Sequence, residues 1–484
     1  MTLRQKTVSG LLWSFVDNIA LLFISFIVGI ILARILSPKE YGLIGMLGIF
    51  IAISQSFIDS GFSQALIRKQ DCTSIDYSTV FYFNIVVSVS FYLLLFFCAG
   101  IIGSFFHEPI LKDLIRVLGL GLIINSLTLV QSAQLTKRID FKLQAKISVI
   151  SSIFSGIISI YMAFTGWGVW SLVVSALLRY SISSSLFWFW SKWKPIWYFS
   201  INSFKELFSF GGKLLLSGLI DTIYRNIFNL VIGKYYNAVE LGYYSRADQF
   251  QSLPSSNLQT IISRVSYPIL LIIKDDVPGL KEAYKKIIKS SMFVSFVLML
   301  GMAAVARPMI LSLIGEKWEP CIIYLQMLCF VGMLFPLHSL NLTMLQVQGR
   351  SDLFLRLEII KKILAVPVII IGIFLGIKAM ILGMLLHNLI ALYLNSYWSG
   401  RSSGYYFFDQ IKDILPSFLL ALTMSSVVFA EGLLIKLSPL PLFIIQLATG
   451  ILLTLGLSEV FHFKDYNYIK EIVREKFLTK KING

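Results

Sequence analysis

Charge is what this chain has least of. Only 14% of its 484 residues are Asp, Glu, Lys or Arg, against roughly a quarter in soluble domains. The 26 acidic residues are outnumbered by 38 phenylalanines, and too few polar side chains remain to cover the two or three cores a soluble chain of this length would need. Soluble catalysis is therefore disfavoured. Cysteine is scarce and scattered, at Cys72, Cys98, Cys321 and Cys329. Free thiols are expected, with neither a disulfide framework nor a metal site. Acid is scarcer than base, for a formal charge of +16, which would suit nucleic acid or the cytoplasmic loops of a polytopic membrane protein; position along the chain decides.

What is present is apolar length. Residues of hydrophobic type make up 56% of the chain, in runs long enough to cross ~30 Å of hydrocarbon at about 20 residues each. The expected spans are 11–32, 43–65, 79–103, 114–134, 147–164, 169–190, 208–232, 243–264, 287–306, 321–345, 357–375, 379–396, 414–435 and 440–460. The fold class expected is thus all-α integral membrane with fourteen transmembrane helices, since such runs are too long and continuous for a strand barrel. The first run follows Arg4 and Lys6 like a signal peptide, but its length and the lack of a small-x-small cleavage site make it a retained helix. The eighth is weak, because Arg246, Asp248, Gln249, Gln251, Asn257, Gln259 and Arg264 fall within it.

Fourteen crossings put both termini on one side. That side collects 28 Lys and Arg, from Arg4 and Lys6 through the loops to Lys464, Lys470, Arg474, Lys476, Lys480 and Lys481, and the other side 9. The positive-inside rule makes the termini cytoplasmic. It also accounts for the basic charge without nucleic acid.

No connecting loop is large enough for a soluble domain, so function sits inside the bundle. Glu40-Tyr41-Gly42-Leu43 after span one matches Glu240-Leu241-Gly242-Tyr243 after span seven, at equivalent places in two six-helix blocks, as in duplicated transporters with a midplane site. The expected organisation is an N-lobe over 1–200, a C-lobe over 201–400, and two further helices with a basic tail over 401–484.

Ionisable residues within spans are costly in lipid and are functional candidates. Lys213, Ser217, Asp221, Arg225 and Asn229 recur every four residues and form a slowly winding stripe on span seven. Arg246, Gln249, Asn257, Thr260 and Arg264 share an arc of about 80° on span eight. Span one offers Ser14, Asn18, Ser25 and Gly29 with Asp17 alongside; span two offers Gln55, Asp59 and Ser63. The simplest packing lines a water-filled cavity with these four spans, and Arg179 near the middle of span six joins them. Simpler readings stand beside this one: Asp221 and Arg225 at i, i+4 neutralise each other, Arg246 and Arg264 snorkel to headgroups, His338 and His387-Asn388 are hydrogen-bonded packing residues. Trp188, Trp190, Trp193 and Trp197 read as an interfacial belt. Arginine predominates among the cations and its fork suits phosphate or carboxylate, while the Ser, Asn, Gln and Tyr suit hydroxyls. The chemistry points to an anionic, sugar-bearing amphiphile.

Six stretches together resemble a known family: Asp59-Ser60-Gly61-Phe62-Ser63-Gln64-Ala65-Leu66-Ile67, Leu135-Thr136-Lys137-Arg138-Ile139-Asp140-Phe141, Gly166-Trp167-Gly168-Val169-Trp170-Ser171-Leu172-Val173, Tyr224-Arg225-Asn226 with Leu230-Val231-Ile232-Gly233, Leu241-Gly242-Tyr243-Tyr244-Ser245-Arg246-Ala247, and Ala303-Ala304-Val305-Ala306 with Gly315-Glu316-Lys317-Trp318. They resemble the polysaccharide-transport branch of the multidrug/oligosaccharidyl-lipid/polysaccharide flippase superfamily, in particular its O-antigen, capsular and exopolysaccharide flippases. The likeness runs from about residue 5 to 460. It implies a bacterial inner-membrane protein of two six-helix lobes plus two peripheral helices. Such a protein moves an undecaprenyl-pyrophosphate-linked oligosaccharide outward by alternating access. Only Arg225, Asn226 and Arg246 carry over from the family's motifs; Arg179, Lys213, Gln249, Arg264, Asn18 and Asp59 rest on the residue argument.

Expected partners are that lipid-linked substrate and membrane lipids, with a polysaccharide polymerase or export machinery as further candidates and no nucleic acid. The chain is expected to act as a monomer without cofactor. Two alternatives stay open. A cation-coupled drug or small-molecule antiporter would use carboxylates such as Asp17 and Asp221, although Arg225 lies four residues from Asp221. A polysaccharide polymerase or glycosyltransferase would need a larger external loop or paired acids, and Pro38-Lys39-Glu40 offers a single carboxylate.

Overall fold

The computed structural model describes residues 3–191, 193–463, 465–467, 470 and 471, apart from the side chains of 3–12 and Phe15. Arg4, Lys6, Lys192, Lys464, Arg474, Lys476, Lys480 and Lys481 of the charge tally lie outside the described side chains. Helices follow one another without a strand among the described residues: α1 (Leu3–Ile35), α2 (Pro38–Asp59), α3 (Phe62–Arg68), α4 (Ser74–Phe106), α5 (Leu111–Ser126), α6 (Leu129–Lys137), α7 (Phe141–Phe164), α8 (Val169–Trp190), α9 (Ile201–Tyr235), α10 (Ala238–Ile272), α11 (Val277–Leu313), α12 (Cys321–Gly332), α13 (Phe335–Val347), α14 (Ser351–Leu364), α15 (Val366–Leu375), α16 (Ile377–Ser403), α17 (Phe407–Leu434) and α18 (Pro439–Val460).

Local chemistry sets the boundaries. Pro38 opens α2 after a capping box in which the Ser37 N–H donates to Glu40 at 2.6 Å, and Thr73 and Asp76 open α4 the same way, satisfying N–H groups that a helix start leaves bare. Ser60 and Gly61, with φ of 44° and 69°, take left-handed conformations that end α2 and re-aim the chain into α3.

Among the described residues twelve spans are long and apolar enough to cross a membrane, with α2–α3, α5–α6 and α12–α13 each counted as one bent span. The chain is a multi-pass membrane protein. Two of the fourteen expected runs do not qualify. The run 243–264 lies inside α10, which is helical for 35 residues straight through Pro254 and Pro268 but is too polar along its length, with Gln249, Gln251, Asn257 and Gln259 beside its few charges. The run 357–375 is divided between α14 and α15 at Ala365, because Pro367 has no N–H for the carbonyl of Ile363.

Two compact units make up the chain, Met1–Gly242 and Tyr243–Gly484. In the first, α2 and α9 run antiparallel in close register. Gly61 meets Gly211 so tightly that a Cβ on Gly61 would stand 2.5 Å from the Gly211 carbonyl oxygen. The Ser56 and Thr222 hydroxyls are 3.0 Å apart, and Gly48 faces Asn226. Beyond them the matched motifs touch: a Cβ on Gly42 would lie 1.6 Å from the Ala238 carbonyl oxygen, and one on Gly242 would lie 1.9 Å from that of Pro38. The contact is reciprocal at the 200-residue offset. The two helix starts also resemble each other locally, since the Glu240 N–H donates to Asn237 Oδ1 at 2.8 Å where Ser37 and Glu40 cap α2. Only glycine allows the backbones so near. Elsewhere in this unit Phe62, Leu66, Val80, Phe81, Val130 and Leu207 form a buried cluster joining α3, α4, α6 and α9. Lys69 bridges Asp76 at 3.1 Å and Glu206 at 2.9 Å; the Glu206 hydrogen bond, more than any other interaction, raises its pKa above the ordinary lysine value.

The second unit is organised around α11, which packs on α12, α17 and α18. A buried polar network fastens it: Tyr284 donates to Asn341 Oδ1 at 3.0 Å, Asn341 donates to Gln410 Oε1 at 3.0 Å, and Ser396 donates to the same oxygen at 3.0 Å. In a hydrocarbon setting such hydrogen bonds replace the hydrophobic drive that soluble cores use.

Candidate functional site

The first unit carries Asp17, Asn18, Asp59, Arg179, Lys213, Asp221, Arg225 and Asn226 of the expected site. Lys213, Asp221 and Arg225 are all exposed on α9, and Arg179 is exposed on α8. Asn226 turns the other way, toward Gly48 of α2, with its amide on the Thr222 carbonyl at 2.9 Å. The stripe is thus open from Lys213 to Arg225, while Asn226, one residue off it, packs between helices. Asp59, the last residue of α2, accepts from Ser63, and Asn18 donates to the Ser14 carbonyl at 2.7 Å.

A proximity that the sequence did not disclose relates α1 and α8. Asp17 lies within electrostatic reach of Arg179, and its Oδ1 is buried without a hydrogen-bond partner among the described residues. Residues 162 apart carry no helical-spacing signal that could have linked them. The guanidinium of Arg179 stays exposed, so it can meet an anionic group while the neighbouring carboxylate keeps the site from carrying a full unbalanced charge.

Arg246, Gln249 and Arg264 belong to the second unit. Arg246 is only 5% exposed. It donates to Gln249 Oε1 at 2.6 Å and stands 5.6 Å from the centroid of the buried Trp318 ring, a cation–π arrangement. Gln249 and Arg264 are exposed. Trp318 was visible in the sequence as part of the Gly315–Trp318 motif, but not as the platform for Arg246.

An exposed arginine or lysine within an apolar span costs several kcal/mol if it faces lipid. Arg179, Lys213 and Arg225 therefore suit a water-filled or anion-bearing path. Among the described residues no group of three or more His, Cys, Asp or Glu is arranged to hold a metal.

A family model described as "Polysaccharide biosynthesis protein" matches residues 31–323. The chain belongs to this polysaccharide biosynthesis family. Family relatives include the teichuronic acid biosynthesis protein TuaB of Bacillus subtilis (strain 168), 28% identical over 73% of this chain and 73% of the relative. Another is the lipopolysaccharide biosynthesis protein WzxC of Escherichia coli (strain K12), 26% identical over 90% of this chain and 89% of its own. Among solved structures, the lipid II flippase MurJ in an inward closed conformation aligns with a TM-score of 0.76 at 18% identity, over 94% of this chain and 99% of its own. An inward-facing multidrug resistance MATE transporter of the MOP superfamily aligns at 0.61 and 18%, over 79% and 94%. This member of the polysaccharide biosynthesis family therefore has the MurJ/MATE fold. The relatives and neighbours are named as biosynthesis proteins, transporters and a flippase, which agrees with a chain that is not an enzyme.

Proposed function

We propose that this protein is a flippase that carries an undecaprenyl-pyrophosphate-linked oligosaccharide from the cytoplasmic to the outer leaflet of the bacterial inner membrane by alternating access. The observation that carries it is the set of exposed cations on otherwise apolar spans, Arg179, Lys213 and Arg225, in a family of polysaccharide biosynthesis. A pyrophosphate cannot cross ~30 Å of hydrocarbon unaided, because desolvating even one charge costs several kcal/mol. Arginine stays charged when partly desolvated and grips phosphate oxygens in pairs. The lipid tail meanwhile stays in the bilayer. Arg246, Gln249 and Arg264 are proposed for the same path, with Asn18, Asn226 and Asp59 as polar lining. Asp17 balances Arg179 and, with Asp221, is available for ion coupling.

In this reading α10 and α14–α15 also cross the membrane, for fourteen crossings with both termini cytoplasmic. Residues 1–200 and 201–400 form the two six-helix lobes, and α17 and α18 lie outside them. Deleting the gene and analysing undecaprenyl-linked intermediates tests the function: complete repeat units accumulating on the cytoplasmic side support a flippase, and truncated units point instead to an enzyme of assembly.

A further inference from the structure

Three helices of the second unit bring together titratable groups that the proposed path does not use. His338 stands on α13, Lys361 and Glu358 on α14, and His387 near the middle of α16. Lys361 pairs with Glu358 at i, i+3, with side-chain exposures of 12% and 26%. Both Lys361 and His387 lie within electrostatic reach of His338, and His387 Nε2 contacts the Lys361 carbonyl at 2.9 Å. On the α11 side the Tyr284 phenol donates to Asn341 of α13 at 3.0 Å. α14 carries Lys361 four residues before Ala365, where the chain divides into α15.

His338 Nδ1 lies 3.1 Å from Asn395 Nδ2. Its other nitrogen, Nε2, and the Asn395 oxygen are both buried and without hydrogen-bond partners among the described residues. Leaving a buried polar atom unpartnered is costly, and here two stand at one contact. In the amide orientation shown, Nδ1 accepts and Nε2 carries the proton of a neutral ring. Adding a second proton at Nδ1 makes that nitrogen a donor, which needs an acceptor opposite it. Rotating the Asn395 amide by half a turn supplies the acceptor, its Oδ1. One asparagine thus serves both protonation states.

We propose that His338 is a proton-exchange site, switched by Asn395 and opposed by Lys361, that couples a proton gradient to the transport put forward above. At rest the Lys361–Glu358 pair is neutral overall and His338 is uncharged, because an imidazolium would face the Lys361 ammonium in a desolvated setting. Proton entry at Nδ1 adds one uncompensated charge. That charge favours whichever conformation opens the cluster to water, and the coupling can only be as large as this difference between states. The inference rests on the transport reading, and its test separates the two.

Purified full-length protein in proteoliposomes is given a fluorescent undecaprenyl-pyrophosphate oligosaccharide, and translocation is followed at equal pH, under an imposed pH gradient and under a sodium gradient. The expected result is at least a tenfold loss of the pH-gradient stimulation in His338→Gln and in Asn395→Leu, with the rate at equal pH retained. Stimulation by protons that persists in both variants, or stimulation of the wild type by sodium alone, overturns the site. A wild type that moves no lipid under any condition overturns the transport reading. The site then stands or falls on histidine NMR of 15N-labelled protein, in which His338 is one of 4 histidines. Lys361→Gln should move its protonation midpoint to a proton concentration at least tenfold lower, and Asn395→Asp should shift it the same way. An unchanged midpoint in both refutes the exchange site.

Discussion

Replacing Gly42 with alanine puts a carbon where the backbone of Ala238 already stands. The new Cβ would lie 1.6 Å from the Ala238 carbonyl oxygen, and such contacts do not occur below 3.0 Å, so α2 and the start of α10 must separate by at least about 1.4 Å at that point. Both parties are main chain, and no rotamer can relieve the clash. Overpacking of this kind costs about 1–3 kcal/mol, and the upper end is expected here. Gly242→Ala meets Pro38 at 1.9 Å and should cost nearly as much. The double variant should cost less than the two singles together, because the first alanine has already opened the crossing for the second. Gly100 is the control: it lies within α4 and its Cβ would meet nothing within 4 Å, so Gly100→Ala should be neutral or slightly stabilising. Thermal unfolding of the detergent-solubilised protein reads all four. A Gly42→Ala variant as benign as Gly100→Ala, or strictly additive costs in the double, would refute the reciprocal crossing.

Three further expectations concern the path and the topology. Ser56→Cys with Thr222→Cys, at hydroxyls 3.0 Å apart, should form a disulfide between α2 and α9 that arrests transport until reduced; full transport by oxidised protein would rule out a separation of these helices during the cycle. At Arg179 and Arg225, glycan export should fall in the order Lys, Ala, Glu. Asp17→Asn with Arg179→Gln, and Asp221→Asn with Arg225→Gln, control for a stranded carboxylate, and wild-type export by folded Ala variants would return these residues to a lipid-facing role. Externally applied thiol reagents should reach Glu108→Cys and Lys317→Cys but not Asp140→Cys or Glu282→Cys, and labelling of either of the latter pair would invert the topology.

The apolar runs made the all-α membrane class legible, because hydrocarbon admits helices with every backbone group bonded internally. The helix start at Ser37-Pro38 is marked by its capping chemistry, although the expected span began at residue 43. The bend between α5 and α6 at Leu127-Thr128 has neither proline nor glycine to announce it. The continuation of α10 through Pro254 and Pro268 runs against the usual meaning of proline, and only neighbouring helices can decide that outcome. The same limit applies to the site. Helical spacing places Lys213, Asp221 and Arg225 on one stripe, and all three are exposed on α9, but spacing cannot see across helices. Arg179 beside Asp17, Arg246 over Trp318, and Lys361 among buried histidines are tertiary facts. The four-residue match at the 200-residue offset was too short to reveal that its two copies touch; their glycines were the signal, since each stands where a side chain would collide with the other's main chain.

Translocation by the purified protein tests the central claim most directly. Proteoliposomes containing it and a fluorescent undecaprenyl-pyrophosphate oligosaccharide are treated with a membrane-impermeant quencher. The flippase reading predicts that lipid initially in the inner leaflet becomes quenchable in vesicles with wild-type protein, and at a rate reduced at least tenfold with the Arg179→Ala, Arg225→Ala double variant. Equal rates in wild-type, double-variant and protein-free vesicles would contradict it.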